Sequence, residues 1–227
     1  MAKRGTGAIF AALLALSTPF PEARAFELSP ISTHLEAAGP GVRGRIVLRN
    51  TRDAELPMQT RVMRRHVAED GRITLEPADA DFLVFPPQAL VPAHGAQTIQ
   101  FQYVGPLLNE GRSYLLYVSE VPIAASGEMV VRLVFEMGAA VYLHPPGAKA
   151  ELSLEGATPL PGGRIELRVR NSGARHAVLI EGFGVVPGAE AALAAYGDLA
   201  RTRPENPIVP PHALRRFVIG GAPAQNP

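Results

Sequence analysis

MVVRLVFEMGAAVYL, residues 129–143, is the stretch on which the fold turns. A strand points successive side chains to opposite faces. Read that way, one face carries Met129, Val131, Leu133, Phe135 and Met137, and the other carries Val130, Arg132, Val134 and Glu136. A continuous row of large apolar groups needs a surface to cover it. On pattern alone such a strand faces its own core; the other reading is that it fills a partner's groove. The turn His144-Pro145-Pro146 closes the run.

Working outward, the flanking chain carries the same period. Gly44–Asn50 alternates, and Met58–Val67 is a second candidate strand, followed by the hairpin signal Asp70-Gly71. Phe82–Phe85 reads as a short buried run stopped by Pro86-Pro87, because adjacent prolines remove two backbone donors. Gln97–Val104 and Ser113–Val121 are further strands, the latter stopped by Pro122. Past a boundary at Pro145-Pro146-Gly147 come Glu151–Leu154, Arg164–Asn171, Ala177–Ile180 and Ala213–Ile219. Arg164–Asn171 has the form of Arg43–Asn50: both alternate, end in Arg-Asn and run into a polar turn. Helical periodicity is confined to Ala189–Arg201, which Gly197 breaks, so a short helix or a loop is expected there. With 22 Gly and 22 Pro set between apolar runs, the chain reads as an all-β protein, a sandwich or barrel.

Residues 1–25 read as a secretory signal peptide. Lys3 and Arg4 precede the apolar stretch Ala8–Leu16, and Ala23-Arg24-Ala25 is a small-x-small cleavage site. The apolar stretch falls short of the roughly 20 residues of a membrane helix, so no direct membrane insertion is expected. The exported chain, 26–227, has no cysteine and must rest on its core. Losing Lys3, Arg4, Arg24 and Glu22 moves the formal net charge from +1 to about −1, which argues against a nucleic-acid partner. Lys149 is then the last lysine, and the wealth of arginine suits either carboxylate contacts or a genome rich in G and C.

Catalytic chemistry is not in view. His34, His66, His94, His144, His176 and His212 are scattered at no metal-ligand spacing and read as surface or turn residues. Nucleophile-elbow, phosphate-loop and HExxH patterns are lacking. Asp79 and Asp81 could serve a hydrolase but read as solvated turn residues. The expectation is a non-enzyme with no catalytic residues, no metal and no cofactor.

Phe85-Pro86-Pro87 followed by Leu90-Val91-Pro92-Ala93-His94-Gly95, then Glu110–Tyr114 running to Val118-Ser119-Glu120-Val121-Pro122, and finally Tyr142-Leu143-His144-Pro145, occur in a suggestive order. In that order they resemble the periplasmic pilus-assembly chaperones, the PapD-like family of chaperone–usher systems. The resemblance covers most of 26–146 and, more loosely, 164–216. It implies two immunoglobulin-like β-sandwich domains in an L-shaped arrangement, 26–145 and 146–227, the second shortened. It also implies donor-strand complementation in the periplasm, in which the last strand of the first domain fills the groove of an incomplete pilin or fibre subunit that is then delivered to an outer-membrane usher. The lent side chains would be Val131, Leu133 and Phe135, with Met129 and Met137 flanking. Burying three such groups contributes about 1.5–3 kcal/mol each. A self-capping dimer through the same strand is a further option for the free protein.

The chain departs from the family in two places. The family's anchor for the subunit's terminal carboxylate is an Arg on the first strand and a Lys on the last strand of the first domain; here those positions hold His34 and Ala140. The anchor is therefore unknown, with Arg43, Arg45 and Arg112 as substitutes to consider. The second domain also ends soon after Ala213–Ile219. The alternative reading is a divergent sandwich that does not chaperone and serves as a structural or adhesive part of a cell-surface assembly.

Overall fold

A computed structural model of the chain describes residues 26–122 and 134–220. The leader segment 1–25 and three residues of the apolar row, Met129, Val131 and Leu133, lie outside the described residues.

Ten strands of the described residues build the first lobe. They are β1 (Phe26–Ser29), β2 (Ser32–Glu36), β3 (Arg43–Asn50), β4 (Leu56–Val67), β5 (Ile73–Pro77), β6 (Phe82–Phe85), β7 (Gln88–Val91), β8 (Ala96–Tyr103), β9 (Arg112–Glu120) and β10 (Glu136–His144). One sheet has the order β1-β3-β8-β6; the other has β2-β10-β9-β4-β5, with β7 also paired to β4. Alternation puts Ile46, Leu48, Ile99, Phe101 and Tyr103 of the first sheet against Met58, Val62, Tyr114, Leu116, Val118, Val141 and Leu143 of the second. Phe82 sits among them, its ring edge-on to Phe101, Tyr103 and Tyr114. The opening strand is shared between the sheets. β1 runs antiparallel to β3, the chain crosses over at Pro30, and β2 runs parallel to β10.

The second lobe contains β11 (Leu152–Leu160), β12 (Arg164–Asn171), β13 (Ala177–Val178), the helix α1 (Ala189–Leu193), β14 (Ile208–Val209) and β15 (Ala213–Gly220). β11-β12-β15 form one sheet and β13-β14 a second. A separate core gathers Ile165, Leu167, Val169, Phe183, Leu193 and Phe217. The all-β expectation holds. Ala189–Arg201 forms one short α-helical turn that tightens into 3-10 geometry over Ala194–Arg201.

One expectation needs correction. Phe82–Phe85 is not a buried run: Phe82 is buried, but Leu83 and Phe85 are 63% and 73% exposed, because alternation turns them to the outward face of the sheet. Asp79 and Asp81 sit in a 3-10 turn, exposed and half-buried, and both carboxylates are engaged there. Asp79 accepts from the Val62 amide at 2.8 Å, and Asp81 accepts from the Tyr114 hydroxyl at 2.8 Å.

Each lobe carries the same buried pin at the end of its Arg-Asn strand. The Asn50 amide donates to the carbonyls of Ala54, Val91 and Pro92, and its oxygen accepts from the Arg52 amide. The Asn171 amide donates to Arg175, Val209 and Pro210, and its oxygen accepts from Gly173 and Glu151. The matching segments are Val91-Pro92-Ala93-His94 and Val209-Pro210-Pro211-His212. In both, the histidine has a positive φ, 55° and 51°, and its amide bonds back to the Asn turn, at Arg52 or Gly173. β8 and β15 then pair with β3 and β12.

The lobes meet through Arg215. This side chain is 2% exposed and donates to the carbonyls of Ile208 and Asn206 in its own lobe and of Ala68 and Glu69 in the β4–β5 turn. Asn206 donates to Gly71, and the Arg216 amide donates to the Glu69 carbonyl. Gly71 has φ +94°, and a Cβ there would lie 2.9 Å from Arg215 Nη2, so the close approach needs glycine.

Candidate functional site

Among the described residues, strand β10 is covered along only part of its length. The Ala140 amide donates to Ile31 on the β2 side, whereas the Phe135 carbonyl accepts from Glu120 on the β9 side. Even-numbered backbone groups of β10 thus point towards β2 and odd-numbered ones towards β9. β2 pairs only with Ala140–His144, while β9 pairs from Glu136 onward. Glu136 and Gly138 therefore present N–H and C=O groups that no strand of the described residues takes up.

The apolar row follows the same gradient. Leu143, Val141 and Ala139 are buried, whereas Met137 and Phe135, on the same face, are half-buried against the rim of the core. Of the five candidate subunit-binding residues, the structure places these two side by side at the mouth of the sandwich. Phe135 lies beneath the Arg52 guanidinium, 5.7 Å from ring centre to Cζ. Arg52 is itself fixed by a bidentate pair to buried Glu120, at 2.8 and 2.6 Å. On the opposite face Glu136 accepts from Ser119 at 2.5 Å and from Arg61 at 2.7 Å, which pins the first residue of the strand to β9 and β4.

That opposite face leads into a cleft between the lobes. Tyr142 stacks on His34 at 4.5 Å and 10°, Arg65 lies over the Tyr142 ring at 5.2 Å, and His176 of the second lobe stands 5.5 Å away. Arg65 donates to Ser113 at 3.0 and 2.8 Å. A 150 Å³ pocket bordered by Arg64, Arg65, Gly111, Arg112 and His176 opens beside it. Burial, then the charges of Arg65, His34 and His144, pushes His176 down to about 3, and its Nδ1 has no hydrogen-bond partner. Burial, then Arg175 and His144, lowers His34. Burial raises Tyr142, against the pull of Arg65.

His34 and Ala140 lie on this cleft face, Ala140 level with Ser32 and His34 level with Tyr142. The expectation that every histidine is a surface or turn residue is corrected for His144 and His176, both buried. The substitute cations divide. Arg43 and Arg45 lie on β3 in the other sheet, and Arg112 bonds towards Tyr114. Arg65 reaches the Tyr142 ring and borders the pocket with Arg64 and Arg112; it is one of three arginines in MQTRVMRRHV, and its odd position, shared with Arg61, does not single it out. Among the described residues no group of three or more His, Asp or Glu side chains could hold a metal ion, and no helix is long and apolar enough to cross a membrane.

No family model matches the sequence, and no curated protein matches it. Solved structures do. The chain is similar to one from the CsuC–CsuE chaperone–tip adhesion subunit pre-assembly complex of Acinetobacter baumannii, at TM-score 0.58 and 19% identity over 88% of this chain and 90% of that one. It is similar to the E. coli chaperone DraB at TM-score 0.57 and 16% identity, over 88% and 86%. The class 5 fimbriae chaperone CfaA follows at 0.54 and 12%, over 88% and 100%. The likeness establishes the fold, the all-β, immunoglobulin-like architecture of these proteins.

Proposed function

We propose that a chain with the fold of the fimbrial chaperones and a half-covered last strand in its first lobe is itself a periplasmic chaperone for pilin or fibre subunits. In this reading 26–145 and 146–227 act as two domains behind a cleaved leader. β10 and the residues before it are lent to a subunit. Glu136 and Gly138 supply main-chain hydrogen bonds to the subunit's sheet, and Met129, Val131, Leu133, Phe135 and Met137 supply the apolar row for its groove. The subunit's unfilled core provides the free energy, so no cofactor enters, and the loaded subunit passes to an outer-membrane usher.

The observation that carries this reading is the split of the opening strand. Because β1 stays with β3 and β2 reaches β10 only at Ala140, the edge over Glu136 and Gly138 is, among the described residues, left open to another chain. A subunit entering along it would meet Arg65 beside Tyr142 in the cleft, a cation for its terminal carboxylate in place of the pair absent at His34 and Ala140.

The test is co-expression in the periplasm of the tagged protein, wild type and Leu133→Asp, with the fibre subunits encoded beside it. A stable complex with wild type alone, from two proteins with equal thermal midpoints, is the expected result. Equal recovery of subunit by both, or none by a folded wild type, would sink the proposal.

A further inference from the structure

We infer that the outward face of the β1-β3-β8-β6 sheet is a second docking surface, and that its occupant is an acidic, apolar-bearing segment of a partner polypeptide. This goes beyond subunit binding and uses the opposite side of the sandwich from β10.

The register fixes what this face presents. Arg43, Arg45 and Arg49 stand in a row on β3, all exposed. Gln102 and Gln100 lie level with Arg43 and Arg45 on β8, and Leu83 and Phe85 lie level with these glutamines on β6. Arg43 donates to Gln102 at 3.0 Å, while Arg45 and Arg49 have no ion pair among the described residues. Glu27, level with Arg49, is the one carboxylate at the outward strand positions of this sheet. Three guanidiniums against one carboxylate is a strong local excess on a chain that is otherwise near balance.

The shape matches the charge. A 390 Å³ pocket spans all three strands, bordered by Arg43 at one end and by Leu83 and Phe85 at the other. Strands are spaced about 4.8 Å apart, so the arginine row and the apolar pair stand roughly 10 Å apart. A peptide can present a large apolar side chain and a carboxylate at that separation, and the glutamines between them suit its main chain. Leu83 and Phe85 are large, exposed and adjacent, on a strand with no neighbour on its outer side among the described residues. A surface meant only for water has no use for them, and a phosphate backbone would use the arginines and leave them bare. A polypeptide uses both.

The probe is a short fluorescein-labelled peptide in which Glu alternates with Leu and Ser, with a counterpart carrying Lys for Glu, read by fluorescence anisotropy on the full chain. The expected result is saturable binding of the Glu peptide that weakens with added salt, with the Lys peptide about tenfold weaker or worse. Arg45→Glu and Phe85→Ser, both exposed positions, should each cost about tenfold, and Arg168→Glu on the second lobe should change nothing. Four outcomes overturn the inference: no binding of the Glu peptide; equal affinity for the two peptides; indifference to Arg45→Glu and Phe85→Ser; or equal affinity for single-stranded DNA. A concentration-dependent dimer in sedimentation that Phe85→Ser abolishes would overturn it as well, assigning the face to a second copy.

Discussion

At the junction of the lobes, burial and neighbouring charge hold His176 neutral in the folded chain. It is packed against Tyr142 and Gly111 with three basic groups, Arg65, His34 and His144, acting on it, so burial and charge both oppose its proton. The unfolded chain has no such opposition and binds the proton near pH 6.5. Between about pH 6.5 and about pH 3 the unfolded state therefore holds more protons, and stability rises with pH; it is complete above 6.5 and is lost as pH falls. His34, lowered for the same reasons, adds in the same direction. Urea midpoints measured from pH 7 down to about pH 4 should decline, and His176→Phe should remove most of the slope; a midpoint flat over that range would refute this. Little of it was legible in the sequence. Arg-His-Ala at 175–177 looks like any polar turn, because the groups that bury the imidazole come from positions 34, 65, 111 and 142. Arg65 was obscured the same way: Arg61 shares its strand face, and only the place further along β4, beside Ser113 and Tyr142, brings Arg65 to the cleft.

At the scale of the strand, period two was clear. The alternation of Phe135, Met137, Ala139, Val141 and Leu143 in the sequence is the face that the structure turns inward. What the pattern could not carry is where cover stops. That depends on the crossover at Pro30, which moves the chain from one sheet to the other, and neither β1 nor β2 has enough residues to announce itself. The Phe82–Phe85 expectation failed similarly: four apolar letters do not say that only one face of the strand meets the core. The half-cover makes Gly138 informative. Its amide points away from β9, so Gly138→Pro removes an outward donor without taking a β9–β10 hydrogen bond, the Tyr117 ring, 3.0 Å from the new Cβ, having to give slightly. Subunit capture should fall at least several-fold while circular dichroism is unchanged. Unchanged capture would mean that the outward edge is not what the subunit pairs with.

At the scale of the molecule, two lobes repeat one device. Arg-Asn at the end of β3 and of β12 hinted at common design, but the second half of the device, Val-Pro-x-His, lies some forty residues further on in each lobe, too far for a short match to bring together. The tie between the lobes left no trace in the sequence at all. Arg215 reads as an ordinary strand arginine next to Arg216, and its partners are carbonyl oxygens, which any residue can supply. Arg215→Met keeps the bulk and removes the donors. It should split a single urea transition into two, one per lobe; a variant that still unfolds in one step would assign the coupling elsewhere. The chemistry of that tie also sets how the junction answers acid. Carbonyl oxygens take up no proton in the ordinary range, so the fastening at the β4–β5 turn keeps its grip at any pH the protein meets. The histidine-walled cleft a few residues back along β4 does not. On acidification the molecule should therefore behave as a hinge with a fixed pin: the cleft swings wide while Arg215 stays seated, and the two lobes change angle without coming apart.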